Sequence, residues 1–524
     1  MSVFETNPVF AEKQDLTTIV VFGASGDLAK KKTFPALFQL FKNNLLPKHT
    51  RVVGYARTVM EHQDFVKKAS SFIKDSQEKI DEFFKICSYV NGSYSQSEDF
   101  VRLRLKIEQG EADMKTEKVF YTSEKDICGR IIKNKLRVYY MALPPSVFIS
   151  VSEKIKENVY DANVINHLVI EKPFGLDRES CKYLIDNIGK NFTESEVFRT
   201  DHYLGKEMVK NIIVLRFANK FYESVWNKDH IDNIQITFKE PFGTEGRGGY
   251  FDQYGIIRDV VQNHLAQVLS ILAMECPKSL DAEDIRDSKA EVLRHIPPVT
   301  LDETLLGQYV KSTDGTKPGY LDDETVSKDS NTPTYASMVM HVDTDRWRGV
   351  PFIIKAAKAV ETAKVVVRIQ FKDVSTNLFP NISRNELVIQ ISPKESIYLK
   401  TVVKEPGLSN KIIMSSLELE YRDVFTKNII PDPYAALLLD VIGNDHSNFV
   451  REDELDEAWR IFTPLLNSID QGKIKPLPYP YGSRGPEGGD KFNAKFGGYV
   501  PTNLDYYWSE NNEPLKKNNP QNKL

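Results

Sequence analysis

This chain of 524 residues has little of what marks secreted, metal-binding or membrane-spanning proteins. Its 4 cysteines are Cys87, Cys128, Cys181 and Cys276, and none of them has the Cys-x-x-Cys spacing typical of zinc and redox motifs. We therefore expect free thiols in a reducing compartment and no metal site. No apolar run approaches the roughly 20 residues that span a bilayer. Residues 1–14 lack the sustained apolar core of a secretory signal, so the sequence predicts a cytoplasmic protein.

An excess of charge of one sign is also missing. The chain has 69 basic and 73 acidic residues, a net charge of −4, and no basic block stands out. This balance argues against a nucleic-acid or membrane-surface partner. With 41% hydrophobic and 27% charged residues, the composition is that of an ordinary globular protein. The length allows roughly three domains, although α/β folds often form larger ones.

The first 200 residues alternate apolar strands with helical stretches. The apolar, β-branched run 16–22 ends at Gly23 and predicts a buried parallel strand. Further strands are predicted over 51–55, 136–143, 167–170 and 196–200. Strands that alternate with helices predict an α/β, Rossmann-type, doubly wound domain over residues 1–200.

After residue 230 the pattern changes to strands that follow one another without helices between them. Such strands are predicted over 231–239, 365–371, 386–391 and 396–403, which favours an extended, mainly antiparallel sheet. A long helical run over 256–274 interrupts them. The polar stretch 300–337 predicts a surface loop. We therefore predict a larger β+α domain over residues 201–510, and a disordered tail over 511–524.

A glycine-containing turn stands where the first strand gives way to a helix. Its residues are Gly23, Ala24, Ser25, Gly26, Asp27 and Leu28. One glycine permits a tight turn and a second lets the backbone approach a pyrophosphate at the helix N-terminus. The pattern is GxxGxxA and not the usual GxGxxG, and a plain turn is the alternative. Its place after the first strand favours a dinucleotide.

The residues after the second predicted strand indicate which dinucleotide binds. NAD-binding domains place an acidic residue there for the ribose 2′-hydroxyl, whereas this chain has Arg57. An arginine suits the 2′-phosphate of NADP, with Ser25 and Lys32 as helpers. Lys30 and Lys31 are predicted to form only a solvated helix face.

A polar cluster follows the predicted strand at 196–200. It consists of Asp201, His202, Tyr203, Leu204, Gly205 and Lys206. A carboxylate, an imidazole, a phenol and an ammonium group within six residues suit an anionic, hydroxyl-rich ligand. The alternative is a polar turn that contains a hydrogen-bonded histidine. Lys172 follows the strand that ends at Ile170, where ligands of doubly wound sheets bind, and a surface ion pair is its alternative.

His264 lies near the apolar stripe of its predicted helix. A histidine in that position is more often a hydrogen-bonded core residue than a catalyst. With a carboxylate partner it would be a competent general base near neutral pH. The sequence by itself provides no such pairing.

Taken together, the polar motifs closely resemble those of the glucose-6-phosphate dehydrogenase family. The matching segments are GASGDLAKK at 23–31, EKPFG at 171–175, RTDHYLGKE at 199–207, KEPFGTEGRGGYFD at 239–252, RDVVQNHLAQ at 258–267, RGVPFIIKAAK at 348–358 and YGSRGP at 481–486. They cover nearly the whole chain, and the DHYLGK and QNHL segments together are highly specific. The asparagine-rich surface resembles that of a fungal member.

The resemblance implies an NADP-binding Rossmann domain followed by a β+α domain for substrate binding and dimerisation. It implies a homodimer or homotetramer that oxidises glucose 6-phosphate at C1 to the lactone and produces NADPH. This reaction is the first step of the oxidative pentose phosphate pathway.

The resemblance also assigns roles to individual residues. His264 would remove the proton of the C1 hydroxyl, and Asp201 would orient and stabilise the imidazolium. The sugar phosphate would be held by His202, Tyr203, Lys206 and Lys358. The sugar hydroxyls would be positioned by Lys172, Glu240 and Asp259, and Lys172 would also contact the cofactor.

Two departures from the family pattern leave questions open. Some relatives bind a second, structural NADP, and its pattern is matched here by Lys364, Arg368, Tyr398, Lys400, Arg484 and Trp508. However, Gln390 and Lys355 stand where those relatives have arginines, so a second site stays open. Ala363 replaces an arginine near the substrate. The alternative functions are a glucose-fructose oxidoreductase-like enzyme, which acts on unphosphorylated sugars, and a non-catalytic NADP sensor.

Overall fold

A computed structural model describes residues 16–115, 135–376, 378–379 and 382–500, and the two short strands at 506–507 and 514–515. The chain forms two compact units. Unit 1 comprises Met1–Gly205, Lys278–Arg286 and Ile430–Asp456, and unit 2 comprises Lys206–Pro277, Asp287–Ile429 and Glu457–Leu524. The domain boundary near residue 200 stays a prediction. The predicted disordered tail, 511–524, lies outside the described residues except for the strand at 514–515.

Unit 1 contains a six-stranded sheet in which every strand is parallel to its neighbours. Its strands are β1 (Leu16–Phe22), β2 (Thr50–Ala56), β3 (Cys87–Asn91), β4 (Lys135–Met141), β5 (Ile165–Glu171) and β6 (Val197–Thr200), in the order β3-β2-β1-β4-β5-β6. All seven residues of β1 are buried, as expected for a central parallel strand that is covered on both faces. The predicted doubly wound α/β domain is confirmed.

Helices connect the strands of unit 1. They span Phe34–Lys42, His62–Ala69, Gln77–Phe84, Ser97–Lys115, Phe148–Asn158 and Arg178–Gly189. Between β1 and the first of these helices, Ala29–Thr33 winds as a π-helix. Cys87 and Cys181 are both buried.

A helix from the distant part of the chain also belongs to unit 1. We call this helix, Pro433–Ile442, the returning helix. The Asp432 side chain caps it by accepting a hydrogen bond from Tyr434 N at 2.9 Å. Its apolar face is buried in the core beside Leu37 and Phe198. The predicted boundaries place this segment in the second domain, but its apolar face buries itself in the core of unit 1.

Unit 2 contains an eleven-stranded sheet. Its strands are β7 (Ile231–Lys239), β8 (Thr304–Val310), β9 (Tyr335–His341), β10 (Pro351–Ala357), β11 (Lys364–Phe371), β12 (Glu386–Ser392), β13 (Ser396–Lys404), β14 (Ile412–Glu420), β15 (Leu477–Pro480), β16 (Tyr506–Tyr507) and β17 (Pro514–Leu515). The order is β15-β8-β9-β10-β7-β11-β12-β13-β14-β16-β17. Pairs β10–β7, β15–β8 and β14–β16 are parallel and the others are antiparallel, which confirms the mainly antiparallel sheet.

The prediction of a surface loop over 300–337 is wrong. The segment contains β8 and the start of β9, and Tyr320 within it is completely buried. The polar composition is misleading because some polar side chains of this segment are buried and form hydrogen bonds with backbone groups. Gln308 Nε2, for example, donates hydrogen bonds to Ser330 O and Thr332 O, each at 3.0 Å.

Helices complete unit 2. They span Glu207–Phe217, Lys220–Val225, Gly248–Ile256, Ala266–Ala273, Tyr421–Val424 and Gly489–Gly497, while the residues of Ala282–Arg294 and Glu452–Asp470 are divided between the two units. The helical run predicted over 256–274 is confirmed, but Ile257–Leu265 winds as a π-helix before Ala266–Ala273 continues as an α-helix. Among the described residues, no helix has the length and apolar character needed to cross a membrane.

Candidate active site

The glycine turn at the end of β1 requires a glycine at position 23. Gly23 has φ of +78°, and a Cβ atom there would lie 2.2 Å from Ala142 O. Gly26 N donates a hydrogen bond to Gly23 O at 2.8 Å, which closes the turn. The turn therefore directs the chain from the central strand into the helical segment that begins at Asp27.

The turn and its surroundings fit a dinucleotide. It lies at the carboxyl end of β1, where ligands of doubly wound sheets bind, and it opens a helix whose first N–H groups lack helical partners. Ser25 Oγ lies 3.2 Å from Thr58 Oγ1, so the turn meets the segment that follows β2. In that segment Arg57 is exposed and its guanidinium lies 5.5 Å from the centre of the Tyr94 ring. An exposed arginine beside the turn suits a 2′-phosphate.

Three lysines follow the turn and have different surroundings. Lys30 and Lys31 form ion pairs with Asp27 at 2.6 and 2.9 Å. Their hydrogen bonds lower the pKa of Asp27 to about 2. Asp27 and Lys31 are exposed and Lys30 is half-buried, which agrees with the predicted solvated helix face for Lys31 and in part for Lys30. Lys32 Nζ instead lies 5.6 Å from the centre of the Tyr434 ring.

The carboxyl end of β5 carries a buried acid that the sequence analysis does not single out. Glu171 is 5% exposed, and its Oε1 accepts a hydrogen bond from the buried Tyr140 hydroxyl. Burial raises the pKa of Glu171 to about 7, although the Tyr140 hydrogen bond and the Lys172 charge act in the opposite direction. Lys172 follows directly and is half-buried. The EKP motif itself was the available signal for Glu171.

The loop after β6 is held by hydrogen bonds of Asp201. Its Oδ1 accepts a hydrogen bond from Tyr203 N at 2.9 Å, and its carbonyl oxygen accepts one from Leu204 N at 3.0 Å. Asp201 is 2% exposed and Tyr203 is 4% exposed, whereas His202 is half-buried. The fold therefore buries the carboxylate and leaves the imidazole accessible.

Parallel pairing brings these segments of unit 1 to one edge of the sheet. Strands β5 and β6 are neighbours, with Glu171 opposite Thr200. Lys172 and Asp201 therefore follow neighbouring strand ends. The glycine turn follows β1 at the same edge, because β1, β4, β5 and β6 all run in one direction.

In unit 2, a parallel strand pair brings Glu240 and Lys358 together. Each is the first residue after its strand, β7 or β10, and Ala357 lies opposite Lys239. Lys358 Nζ lies 2.6 Å from Glu240 Oε2 and 3.6 Å from Asp259 Oδ2. Lys358 is 8% exposed, so this cation is held by two carboxylates in a nearly buried position.

The π-helix Ile257–Leu265 carries both Asp259 and His264. His264 is 2% exposed, and its backbone N–H donates to Asn263 Oδ1 at 2.6 Å. In a π-helix, residues five apart are about one turn apart, so Asp259 and His264 lie on the same side. In an α-helix, with about 100° per residue, they would lie on different sides. Lys206, the remaining predicted residue of unit 2, is the half-buried N-cap of Glu207–Phe217.

Several of the residues that match the pattern of a second, structural NADP site lie together in unit 2. Lys400 Nζ is 2.9 Å and Arg368 Nη1 is 4.0 Å from Glu386 Oε2. Burial and the charges of Arg368 and Lys400 lower the pKa of Lys364 to about 7. Lys355 and Arg484 line a cavity of about 660 Å³. Tyr398 is buried, Ala363 is exposed, and Trp508 lies outside the described residues.

The fold and these residues define a class of protein. A parallel sheet with a glycine turn after its central strand, joined in one chain to a unit that carries acids, lysines and a buried histidine, is typical of a nicotinamide-dependent oxidoreductase.

Comparisons with known proteins identify the family. The profile "Glucose-6-phosphate dehydrogenase, NAD binding domain" matches residues 20–135 and 125–211, and "Glucose-6-phosphate dehydrogenase, C-terminal domain" matches residues 213–507. The chain is 50% identical to the glucose-6-phosphate 1-dehydrogenases of Emericella nidulans and Aspergillus niger, with 96% of each chain covered. A solved "Glucose-6-phosphate dehydrogenase in complex with its substrate glucose-6-phosphate" is 46% identical, with a TM-score of 0.87, and covers 93% of this chain and 98% of that one. The chain belongs to the glucose-6-phosphate dehydrogenase family, and the predicted resemblance to a fungal member is confirmed.

Proposed function

We propose that this chain oxidises D-glucose 6-phosphate at C1 to 6-phospho-D-glucono-1,5-lactone and reduces NADP to NADPH, the first step of the oxidative pentose phosphate pathway. The observation that carries the proposal is the 50% identity to glucose-6-phosphate 1-dehydrogenases over 96% of both chains. It is supported by the solved relative that holds this sugar phosphate as its substrate.

The cofactor is NADP, which accepts a hydride from C1 of the sugar when it is bound. The glycine turn, Gly23 to Leu28, would bind the pyrophosphate through backbone N–H groups. Arg57 would contact the 2′-phosphate, with Ser25 and Lys32 beside it. Lys172 would contact both the cofactor and the sugar.

His264 is proposed as the general base. It takes the proton of the C1 hydroxyl onto its imidazole while positive character develops at C1, so its assistance is greatest in the transition state. We assign Asp201 the role of stabilising the imidazolium that forms. The burial of both side chains supports these roles, because a charge interaction is stronger in a water-poor environment.

The remaining polar residues are proposed to bind the sugar. His202, Tyr203, Lys206 and Lys358 would hold the phosphate, and Lys172, Glu240 and Asp259 would position the hydroxyls. The contacts of Lys358 with Glu240 and Asp259 support a joint role for these three side chains.

We also propose the organisation implied by the resemblance. Residues 1–200 would form the NADP-binding domain, and residues 201–510 would form the substrate and dimerisation domain of a cytoplasmic homodimer or homotetramer. Exposed apolar side chains on and after β14 support an interface there, namely Leu417, Val424, Phe425 and Ile429.

The test is absorbance of NADPH with purified protein, NADP and glucose 6-phosphate. We expect turnover with glucose 6-phosphate and very little with glucose. His264→Asn should reduce kcat by about 10² to 10⁴, whereas His295→Asn, at a partly exposed histidine of the same unit, should leave it unchanged. Tight NADP binding without turnover would favour the sensor. Equal turnover of glucose would favour the glucose-fructose oxidoreductase-like enzyme.

A further inference from the structure

An aromatic ring on the returning helix lies against the imidazole of His202. The rings of Tyr434 and His202 are nearly parallel, with an interplanar angle of 11° and 5.6 Å between their centres. The Tyr203 ring meets the same imidazole edge-on, at 66° and 5.1 Å. Two aromatic contacts at different angles restrict the rotation of the imidazole more than either contact does by itself.

The position of Tyr434 is itself fixed by the fold of unit 1. Asp432 caps the returning helix at the Tyr434 backbone N–H, and Asp432 N donates to Gln39 Oε1 at 3.2 Å. The loop after β6 approaches the start of this helix so closely that a Cβ at Gly205 would lie 2.5 Å from Pro433 O. The loop after β6 and the start of the returning helix are therefore packed directly against each other.

The electrostatic surroundings of Tyr434 favour a role for its ring. Lys32 Nζ lies 5.6 Å from the ring centre, at a distance where a cation is attracted to the ring face. Burial and the nearby charges of Glu171, Asp432 and Asp201 raise the pKa of the phenol. The hydroxyl thus stays protonated near neutral pH, and Tyr434 adds no charge of its own beside His202.

We propose that Tyr434 is a positioning residue, whose ring holds the plane of the His202 imidazole so that a ring N–H is directed at the phosphate of the sugar substrate. The inference rests on the proposed function, in which His202 binds that phosphate. A phosphate oxygen needs a donor with defined direction, and a freely rotating imidazole would lose rotational freedom on binding. Because the Tyr434 ring already restricts the His202 imidazole in the unbound protein, less rotational freedom is lost when the phosphate binds.

The experiment compares Tyr434→Leu with Tyr434→Phe, using kcat/KM for glucose 6-phosphate and for glucose. Aromatic pairs contribute enough to expect a loss of roughly 2- to 12-fold for Tyr434→Leu with the phosphorylated sugar. The loss should lie in KM, with kcat and the value for glucose unchanged, because glucose has no phosphate. Tyr434→Phe should restore the wild-type value, since it keeps the ring.

Two further measurements complete the design. In a His202→Ala background, Tyr434→Leu should cause no additional loss, because its effect passes through the imidazole. Tyr183→Leu, at an exposed tyrosine of unit 1, serves as a neutral control. Thermal unfolding of each variant checks that the fold is retained.

The outcomes that contradict the inference are distinct from failure of the proposed function. Equal losses with both sugars would show a structural role, and equal losses in Tyr434→Leu and Tyr434→Phe would show that the hydroxyl acts instead of the ring. An additive loss in the His202→Ala background would also overturn it. If the wild-type protein shows no preference for the phosphorylated sugar, the proposed function itself fails and the inference fails with it.

Discussion

The sheets of the two units bring polar side chains together by the same geometry but in different settings. In unit 1 every strand is parallel, and the turn at Gly23 and the loop at Asp201 follow strands of one continuous edge. In unit 2 most pairs are antiparallel, yet Glu240 and Lys358 follow the one parallel pair at the centre of the sheet, β7 and β10. Parallel neighbours end at the same edge, whatever sheet surrounds them.

The difference between the units lies in sequence distance. Strands β5 and β6 lie close together in the chain, so sequence order suggests their pairing. Strands β7 and β10 are separated by more than a hundred residues and two other strands. A mainly antiparallel sheet can therefore contain a parallel pair of strands that places two site residues side by side. Substitutions of site residues test this arrangement in both units.

The largest expected loss of activity comes from substituting a glycine in unit 1 that has close neighbours, compared with a glycine in unit 2 that has open space around it. Gly23→Ala places a Cβ against a backbone oxygen at a φ of +78°. The turn must shift, and misplacement of about 1 Å costs about 100-fold in rate. Gly315 has φ of +72° but open space around it, so Gly315→Ala should cost only about 1 to 2 kcal/mol of stability. The measurements are kcat/KM for NADP and the free energy of unfolding; equal activity of the two variants would contradict the assignment of the turn.

The next effect tests the parallel pair of unit 2. Lys358→Met removes a cation that two carboxylates hold. Charge-assisted contacts contribute about 1.5 to 3 kcal/mol, so KM for glucose 6-phosphate should rise roughly 10- to 150-fold. Lys220→Met, at an exposed lysine of the same unit, should leave KM unchanged. A KM for Lys358→Met within twofold of the wild-type value would show that Lys358 does not contribute to substrate binding.

A third effect tests the cofactor side of unit 1. Arg57→Ala should weaken NADP by roughly 10-fold or more and NAD very little, because only NADP carries the 2′-phosphate. Lys31→Ala, which removes an exposed partner of Asp27, is the matched control and should change neither. Dissociation constants from fluorescence titration report both. Equal weakening of the two cofactors would show that Arg57 does not read the 2′-phosphate.

The smallest effect concerns acid stability of unit 1. His167 and His446 are buried there, and burial lowers the pKa of each to about 4. Between about pH 6.5 and 4 the unfolded chain binds more protons than the folded one, so stability falls as the pH falls through this window. His446→Gln should reduce that loss by about 1 to 3 kcal/mol. Denaturant unfolding at pH 7 and pH 5 measures it; an unchanged difference would mean that His446 does not titrate on unfolding.

Much of the fold is predictable because local patterns determine it. An apolar run that ends at Gly23 predicts both a buried strand and the turn after it, and the polar cluster at Asp201 follows another such run. In unit 2, strand β7 shows the alternation of buried and partly exposed residues that is typical of a sheet with one covered face. These features depend only on neighbouring residues, and the structure confirms them.

The unpredicted features depend on contacts between distant segments. Tyr434 reaches His202 only because the chain returns to unit 1 after residue 430. Lys358 meets Glu240 only through the β7–β10 pairing. Strand β8 lies in a polar stretch of sequence because its buried Gln308 side chain donates hydrogen bonds to backbone carbonyl groups of the neighbouring loop. None of these contacts leaves a periodic signal in the sequence.

The two π-helices have a consequence for how this chain tolerates changes in length. Compared with an α-helix, a π-helical turn accommodates an extra residue. A one-residue deletion within Ile257–Leu265 could therefore leave a regular α-helix and an intact core. In that α-helix Asp259 and His264 would be four residues apart after a deletion between them, so they would still lie on the same side. The π-helix therefore makes this segment tolerant of the loss of one residue, whereas the same loss from a regular α-helix would turn every later side chain by about 100° relative to the earlier ones.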